Sequence, residues 1–290
     1  MLSVIVCTSP GREANLDAAL ACLLHQSLLP AEIIVVDDGS TQGEAVTRHH
    51  EKQQQHSISF HYLWRPNDRC VARSRNLGAD LARQPFIVCL DGDVLLNPQA
   101  LKSYALYLSD FPDHAVYGYF GYQWNYRAPS FLVPGREVLW CDRRFVRYTP
   151  RELVAAPNML RYPHEWAWSG NFAMGKNTFL RAGGFDTAYT GWGGEDLDFA
   201  WRLIQEGTPL HFLLDAWGEQ QYHERTEAFH TGTRGKTYVS HYVSPNYTPE
   251  VRFSPEAEQR LRRVIFSHYV PKGRMLRPEP EEFQPEIVGQ

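Results

Sequence analysis

The chain has 290 residues, 43% of them hydrophobic, which is enough for one large α/β domain, or for one such domain with an appended subdomain. Its 29 basic and 33 acidic residues leave a net charge of -4 and are well mixed, with no long basic run to neutralise a polyphosphate backbone, which argues against a nucleic-acid partner. The five cysteines are odd in number, scattered and without a CxxC pair, arguing against a disulfide framework or a zinc knuckle, and no apolar run approaches the roughly 20 residues that span a bilayer.

In chain order, Leu2 to Cys7 is a short apolar strand ended by Ser9-Pro10-Gly11, and Leu16, Ala19, Leu20, Leu23 and Leu24 follow at helical spacing. Ile33 to Val36 is apolar throughout, as in a parallel strand covered on both faces, and stops at Asp37-Asp38-Gly39-Ser40. A polar helix over about 44–55, an alternating strand at Ile58, Phe60 and Tyr62, and a helix from Val71 to Leu81 continue the βαβ rhythm. Phe86 to Leu90 is another buried strand that ends in acid, Asp91-Gly92-Asp93. Ligands of open parallel sheets bind beyond the carboxyl ends of the strands, so two acidic strand ends point to one site.

From about Tyr117 to Pro163 the pattern breaks into aromatic, proline- and arginine-rich sequence, read as an irregular insertion beside the site. Order returns with the strand Ser169 to Met174, a helix from about Lys176, the turn Gly183-Gly184-Phe185-Asp186, and a helix opening at Gly194 and running to Glu206. A strand over Leu210 to Leu214 follows, then an amphipathic helix over about 256–266 and a proline-rich end.

Four constellations carry chemistry. Asp91-Gly92-Asp93 is an acidic triplet at a strand end, with hard oxygen donors for a divalent cation shared with a diphosphate, and Gly92 leaves room for a ligand. Asp-Gly pairs are also ordinary turns. At Asp37-Asp38-Gly39-Ser40, a carboxylate can accept from a nucleobase imide or from ribose hydroxyls, or the segment can simply be a turn and helix cap. In Gly191-Trp192-Gly193-Gly194-Glu195-Asp196, glycines around a tryptophan give an approachable aromatic platform for a sugar, and two acids open a helix. Those acids could alternatively serve only to complement the helix N-terminus. His223 is one of twelve histidines and follows the 210–214 strand; a lone histidine is more often a packed or surface residue than a ligand, and His230 is the fallback.

Val6-Cys7-Thr8, Val35-Val36-Asp37-Asp38-Gly39-Ser40, Ala72-Arg73-Ser74-Arg75-Asn76-Leu77-Gly78 and Leu90-Asp91-Gly92-Asp93, in this order, resemble the nucleotide-binding half of glycosyltransferase family 2. The segment from Gly191 to Asp196, with Ser169-Gly170-Asn171 and the Gly183 to Asp186 turn ahead of it, is similar to the WGGED-type region of β-1,4-galactosyltransferases, polypeptide N-acetylgalactosaminyltransferases and bacterial chondroitin polymerases. The resemblance covers about residues 1–225. It implies the GT-A fold, an α/β architecture with a Rossmann-like, mostly parallel central sheet flanked by helices and an irregular acceptor-side region. By the same resemblance Thr8 and Asp37 line the nucleoside pocket, Arg75 and Asn76 sit near the ribose and diphosphate, and Asp91 touches the nucleoside. Asp93 and His223 would hold Mn²⁺ or Mg²⁺, Gly170, Asn171, Trp192, Gly193 and Gly194 would border donor and acceptor, Asp196 would be the base, and Glu195 would help to hold the acceptor.

The expected protein is thus an inverting, metal-dependent enzyme that moves a hexose or N-acetylhexosamine from a UDP-sugar to a carbohydrate or other hydroxyl acceptor. It would have a donor half over 1–115, an acceptor and catalytic half over 116–225 and an extension over 226–290. No signal peptide or membrane span is read, so a cytoplasmic location is expected, with peripheral attachment at the inner face of a membrane left open. The helix start is expected to lower the pKa of Asp196, so that the base needs a site that excludes water. The rivals are a catalytically inactive binding protein of the same fold and a sugar-nucleotide pyrophosphorylase-like enzyme. Ser9-Pro10-Gly11-Arg12 lacks the glycine-rich signature of the latter.

Overall fold

A computed structural model describes residues 1–53, 58–123, 145–147, 153–155, 162–191, 193–221, 223, 234–236, 238–239, 250–252, 255 and 259. The N-terminal half alternates β1 (Leu2–Thr8), α1 (Glu13–Leu24), β2 (Glu32–Asp38), α2 (Gly43–Gln53), β3 (Ser59–Arg65), α3 (Val71–Leu81) and β4 (Phe86–Asp91). It continues with β5 (Val94–Leu96), α4 (Ala100–Asp110) and β6 (Ala115–Gln123). After two short strands, β7 (Phe145–Arg147) and β8 (Leu153–Ala155), come a 3-10 turn at Pro163–Trp166, β9 (Asn171–Gly175), α5 (Lys176–Arg181), β10 (Tyr189–Thr190), α6 (Glu195–Gln205), β11 (Leu210–Gln221), β12 (Arg234–Gly235) and β13 (Glu250–Arg252).

Among the described residues the central sheet has nine strands, in the order β13-β11-β6-β9-β4-β1-β2-β3, with β5 added against β11. β4, β1, β2 and β3 run parallel. β9 lies antiparallel between β4 and β6. Every residue of β1 and β2 is buried, as a parallel strand covered on both faces requires. On one face Val4, Val6, Ile33 and Val35 pack with Leu16 and Leu20 of α1 and Leu101 and Tyr104 of α4. On the other, Ile5, Ile34 and Val36 pack with Ala72 and Ala79 of α3, Phe179 of α5, and Phe199 and Leu203 of α6. This is the α/β, mostly parallel sheet with flanking helices that the sequence implies.

Two readings need correction. The stretch from Tyr117, expected to be irregular, begins inside β6, where Val116, Tyr117 and Tyr119 are buried in the core. The strand expected over 210–214 runs to Gln221, with a register shift between Leu213 and Gly218 against β6. The longer strand carries Gln220 and Gln221 to the end of β4. Trp192, His230, the helix expected over 256–266, and most of the 120–165 insertion and of the 226–290 extension lie outside the described residues. No described helix is long and apolar enough to cross a membrane.

Candidate functional site

The site gathers where β1, β2 and β4 end, as expected for a parallel sheet. Strand pairing sets Cys7 of β1 opposite Asp91 of β4, and the Gly92 amide donates to the Cys7 carbonyl at 2.7 Å. A Cβ on Gly92 would lie 2.9 Å from that carbonyl oxygen, so this glycine first of all lets its loop lie against β1. Thr8 is buried beside it, and its hydroxyl has no partner.

Asp93 and His223 meet here. His223 Nε2 lies 3.0 Å from Asp93 Oδ2, the Gln220 amide group donates to the same oxygen at 3.1 Å, and the Gln221 backbone amide donates to the Asp93 carbonyl at 2.8 Å. Burial, with the Asp91 charge adding to it, pushes the Asp93 carboxyl up to about 6. Its Oδ1 is buried without a hydrogen-bond partner. An orphaned carboxylate oxygen next to an imidazole is a donor set that suits Mn²⁺ or Mg²⁺, so the residues present fit a divalent cation. The described residues contain no cluster of three or more such ligands.

Arg75 joins the two halves. Its guanidinium donates to Asp91 at 3.0 Å and to Glu195 at 2.9 Å, with only 5% of the side chain exposed. Burial by itself would lower its pKa, but Asp91 and Glu195 outweigh that and hold the group charged. Asp91 keeps 36% of its side chain exposed and Glu195 9%. Arg75 therefore sets the spacing between the Asp91 and Glu195 carboxylates, and its charge is engaged by them.

Asp196 follows Glu195 at the start of α6 and accepts a hydrogen bond from the Leu197 amide at 2.9 Å. The lowered pKa expected from the helix start is not what the fold produces. Burial of the carboxyl, with the Glu195 charge beside it, pushes Asp196 up to about 7, although Arg75 opposes the rise. Desolvation exceeds a helix-dipole effect of about 0.3–1 kcal/mol. A carboxylate poised near neutrality is suited to taking a proton. Gly194 precedes the helix at φ 100°, where a Cβ would stand 2.9 Å from the Tyr189 ring, and a Cβ on Gly193 would meet nothing within 4 Å among the described residues.

Three other expected contact residues are used internally. Asp37 is fully enclosed, with Oδ1 accepting from the Ser40 amide at 2.8 Å and Oδ2 from the Ser40 and Tyr62 hydroxyls. It shapes the β2–α2 turn, and the Ser40 hydroxyl in turn accepts from the Gly43 amide at 3.1 Å. Asn76 exchanges two 2.8 Å hydrogen bonds with the backbone of Phe185, clamping the Gly183–Asp186 turn onto α3. Asn171 is buried in the core, where its amide donates to the Ala216 carbonyl at 2.9 Å and the Tyr119 carbonyl at 3.2 Å and accepts from the Tyr104 hydroxyl at 2.8 Å. The fold brings neither Asp37 nor Asn171 to a ligand-accessible surface, whereas the Gly170 carbonyl does hold the Asp91 amide at 2.9 Å.

Sequence reasoning missed Gln220, Gln221 and Arg12. Arg12, just before α1, is near enough for the charges of Asp93 and Asp91 to act on it, and its position soon after the Thr8 strand end was the available signal. Lys236 pairs with Asp186 at 2.9 Å and Asp198 at 3.0 Å while β12 pairs with β10.

The chain is similar to several known proteins. Residues 3–185 match the sequence model described as Glycosyl transferase family 2, and residues 149–230 match that described as N-terminal domain of galactosyltransferase. The chain is 33% identical over 244 residues to a validoxylamine A glucosyltransferase of Streptomyces hygroscopicus subsp. limoneus, covering 78% of this chain and 52% of the relative. It is 26% identical over 252 residues to a chondroitin synthase of Escherichia coli, covering 77% of this chain and 34% of that one. The chain thus spans about half the length, or less, of these relatives. Among solved structures, GalNAc-T7 with UDP, GalNAc and Mn²⁺ superposes with a TM-score of 0.56 at 15% identity, over 79% of this chain and 45% of that one, a likeness of GT-A fold.

Proposed function

The chain belongs to glycosyltransferase family 2, and from that premise we propose that it transfers a hexose or N-acetylhexosamine from a UDP-sugar to an acceptor hydroxyl, with a divalent cation and with inversion at the anomeric carbon. The observation that carries this reading is the meeting of Asp93 and His223 at 3.0 Å, on the same strand-end surface as the Arg75 bridge from Asp91 to Glu195. In this reading residues 1–115 form the donor half, 116–225 the acceptor and catalytic half, and 226–290 an extension.

Thr8 and the exposed part of Asp91 border the nucleoside, and Asp93 and His223 hold the cation. A cation bound there supplies positive charge against the departing diphosphate. Asp196 accepts the proton of the acceptor hydroxyl, whose oxygen forms the new bond to the anomeric carbon as the bond to the diphosphate breaks and UDP leaves. Arg75 keeps Glu195, and hence the first turn of α6, in place while this happens, and Gly193 leaves room for the acceptor. The attack comes from the face opposite the leaving group, so an α-linked donor gives a β-glycoside.

A panel of UDP- and GDP-sugars, assayed for UDP or GDP release with Mn²⁺ and again with excess EDTA, tests the proposal. Metal-dependent UDP release supports it, and release unaffected by EDTA overturns the metal assignment. GDP release would reassign the donor. Release of pyrophosphate would instead identify pyrophosphorylase chemistry, and binding without any turnover a protein that kept the fold and lost the reaction.

A further inference from the structure

Arg12 stands at the turn between β1 and α1, with its amide bonded to the Ser9 carbonyl and its carbonyl accepting the Leu16 amide at 2.8 Å. The first turn of α1 is tied to the cation side of the site through Gln221. That side chain donates to the Asn15 carbonyl at 2.9 Å, and its backbone amide donates to the Asp93 carbonyl at 2.8 Å. Within this frame the Arg12 guanidinium lies in electrostatic reach of Asp93 and Asp91. Its Nη1 is buried and has no hydrogen-bond partner among the described residues. A guanidinium nitrogen withdrawn from water and left unpaired is unfavourable unless a ligand completes it.

The charges around it determine which ligand. Asp91 is already bonded to Arg75, and among the described residues Arg12 is an arginine whose charge acts on Asp93. A divalent cation arriving alone at Asp93 and His223 meets the positive charge of Arg12. A cation arriving with a diphosphate brings anionic oxygens that the planar guanidinium fork can bind.

We propose that Arg12 makes cation and diphosphate binding interdependent, opposing a bare divalent cation at Asp93 and donating to the phosphate oxygens once a nucleoside diphosphate is present. This rests on the nucleotide-donor reading above. It extends that reading by assigning Arg12 the task of admitting the cation mainly together with its diphosphate.

The test is calorimetric titration of the full chain and of Arg12→Gln and Arg12→Lys with Mn²⁺ alone, with UDP at saturating Mn²⁺, and with uridine, after circular dichroism shows equal folding. Arg12→Gln should bind bare Mn²⁺ at least about threefold more tightly and UDP–Mn²⁺ at least about tenfold more weakly, with uridine unchanged. Arg12→Lys, which keeps the charge and loses the fork, should resist bare Mn²⁺ as the parent does and fall between the two for UDP. A residue that merely supports the fold would weaken all three ligands together, and that result overturns the proposal. So does bare Mn²⁺ affinity unchanged or reduced in Arg12→Gln. If the unmodified chain responds to neither UDP nor GDP, the donor reading fails, and the bare-Mn²⁺ titrations still decide whether Arg12 opposes the cation.

Discussion

Arg75 Nη1 donates to Glu195 Oε1 at 2.9 Å, linking α3 to the first turn of α6 across 120 positions of sequence. The same guanidinium holds Asp91, so one buried guanidinium lies between two carboxylates and offsets part of their mutual repulsion. Removing one partner of such a buried arrangement leaves uncompensated charge, whereas removing it together with a partner restores part of the balance.

Arg75→Met should therefore cost about 3–5 kcal/mol in urea denaturation, and Arg75→Met with Glu195→Gln should recover part of that loss. Additive losses in the double variant would show that the Arg75–Glu195 contact contributes nothing to stability.

Asp196→Asn keeps the shape of the side chain and removes the proton acceptor, so transfer should fall by about 10²–10⁴-fold while UDP–Mn²⁺ affinity stays near that of the parent. With Asp196 pushed up to about 7 by burial and by Glu195, the rate in the unmodified enzyme should rise with pH through about 7. The measurement belongs at saturating Mn²⁺, so that protonation of the cation site does not contribute. A flat profile between pH 5.5 and 8, given as about those limits, or a product that keeps the donor's anomeric configuration by NMR, would remove Asp196 from the role of base in a single displacement.

The same shift has a stability consequence of definite sign. The Asp196 carboxyl binds its proton more tightly in the folded chain, at about 7, than at its ordinary value of 3.8. Its contribution to stability is therefore fully present below about pH 4 and is lost as pH rises through about 7. Asp196→Asn, neutral throughout, should melt higher than the parent at about pH 8, with the gap closing toward about pH 4. A gap that widens in acid would contradict the raised value.

Asp93→Ala should weaken Mn²⁺-dependent UDP binding more than His223→Ala does, because the anionic ligand carries the charge that holds the cation and the imidazole is neutral when it coordinates. Equal losses from the two substitutions, measured by calorimetry, would require a different ligand set.

Asn171→Ala should behave as a core substitution. It strips partners from the Ala216 and Tyr119 carbonyls and the Tyr104 hydroxyl, for an expected loss of about 2–4 kcal/mol in stability. The preference among donor sugars should not change. A folded variant with altered donor choice would return Asn171 to the ligand surface.

Local sequence alone located β1, β2, β4 and α3, because apolar runs and helical spacing report burial residue by residue and the acidic strand ends are turn signals read within a few positions. Asp93 and His223, which the fold places 3.0 Å apart, are singled out by the family resemblance and not by local sequence. What it could not supply is direction. Asp37, Asn76 and Asn171 look like ligand contacts in a one-dimensional motif, yet Asp37 closes its own turn, Asn76 clamps Phe185, and Asn171 points into a sheet covered on both faces. β6 was hidden because its buried strand adjoins an aromatic, arginine-rich stretch, and its place beside the antiparallel β9 depends on which sheet edge is left after β4 has paired. The residue types that suit the chemistry are written along the chain, but whether a carboxylate or guanidinium meets a ligand or another side chain is decided by contacts between segments as far apart as Arg75 and Glu195, and those exist only once the helices have packed on the sheet.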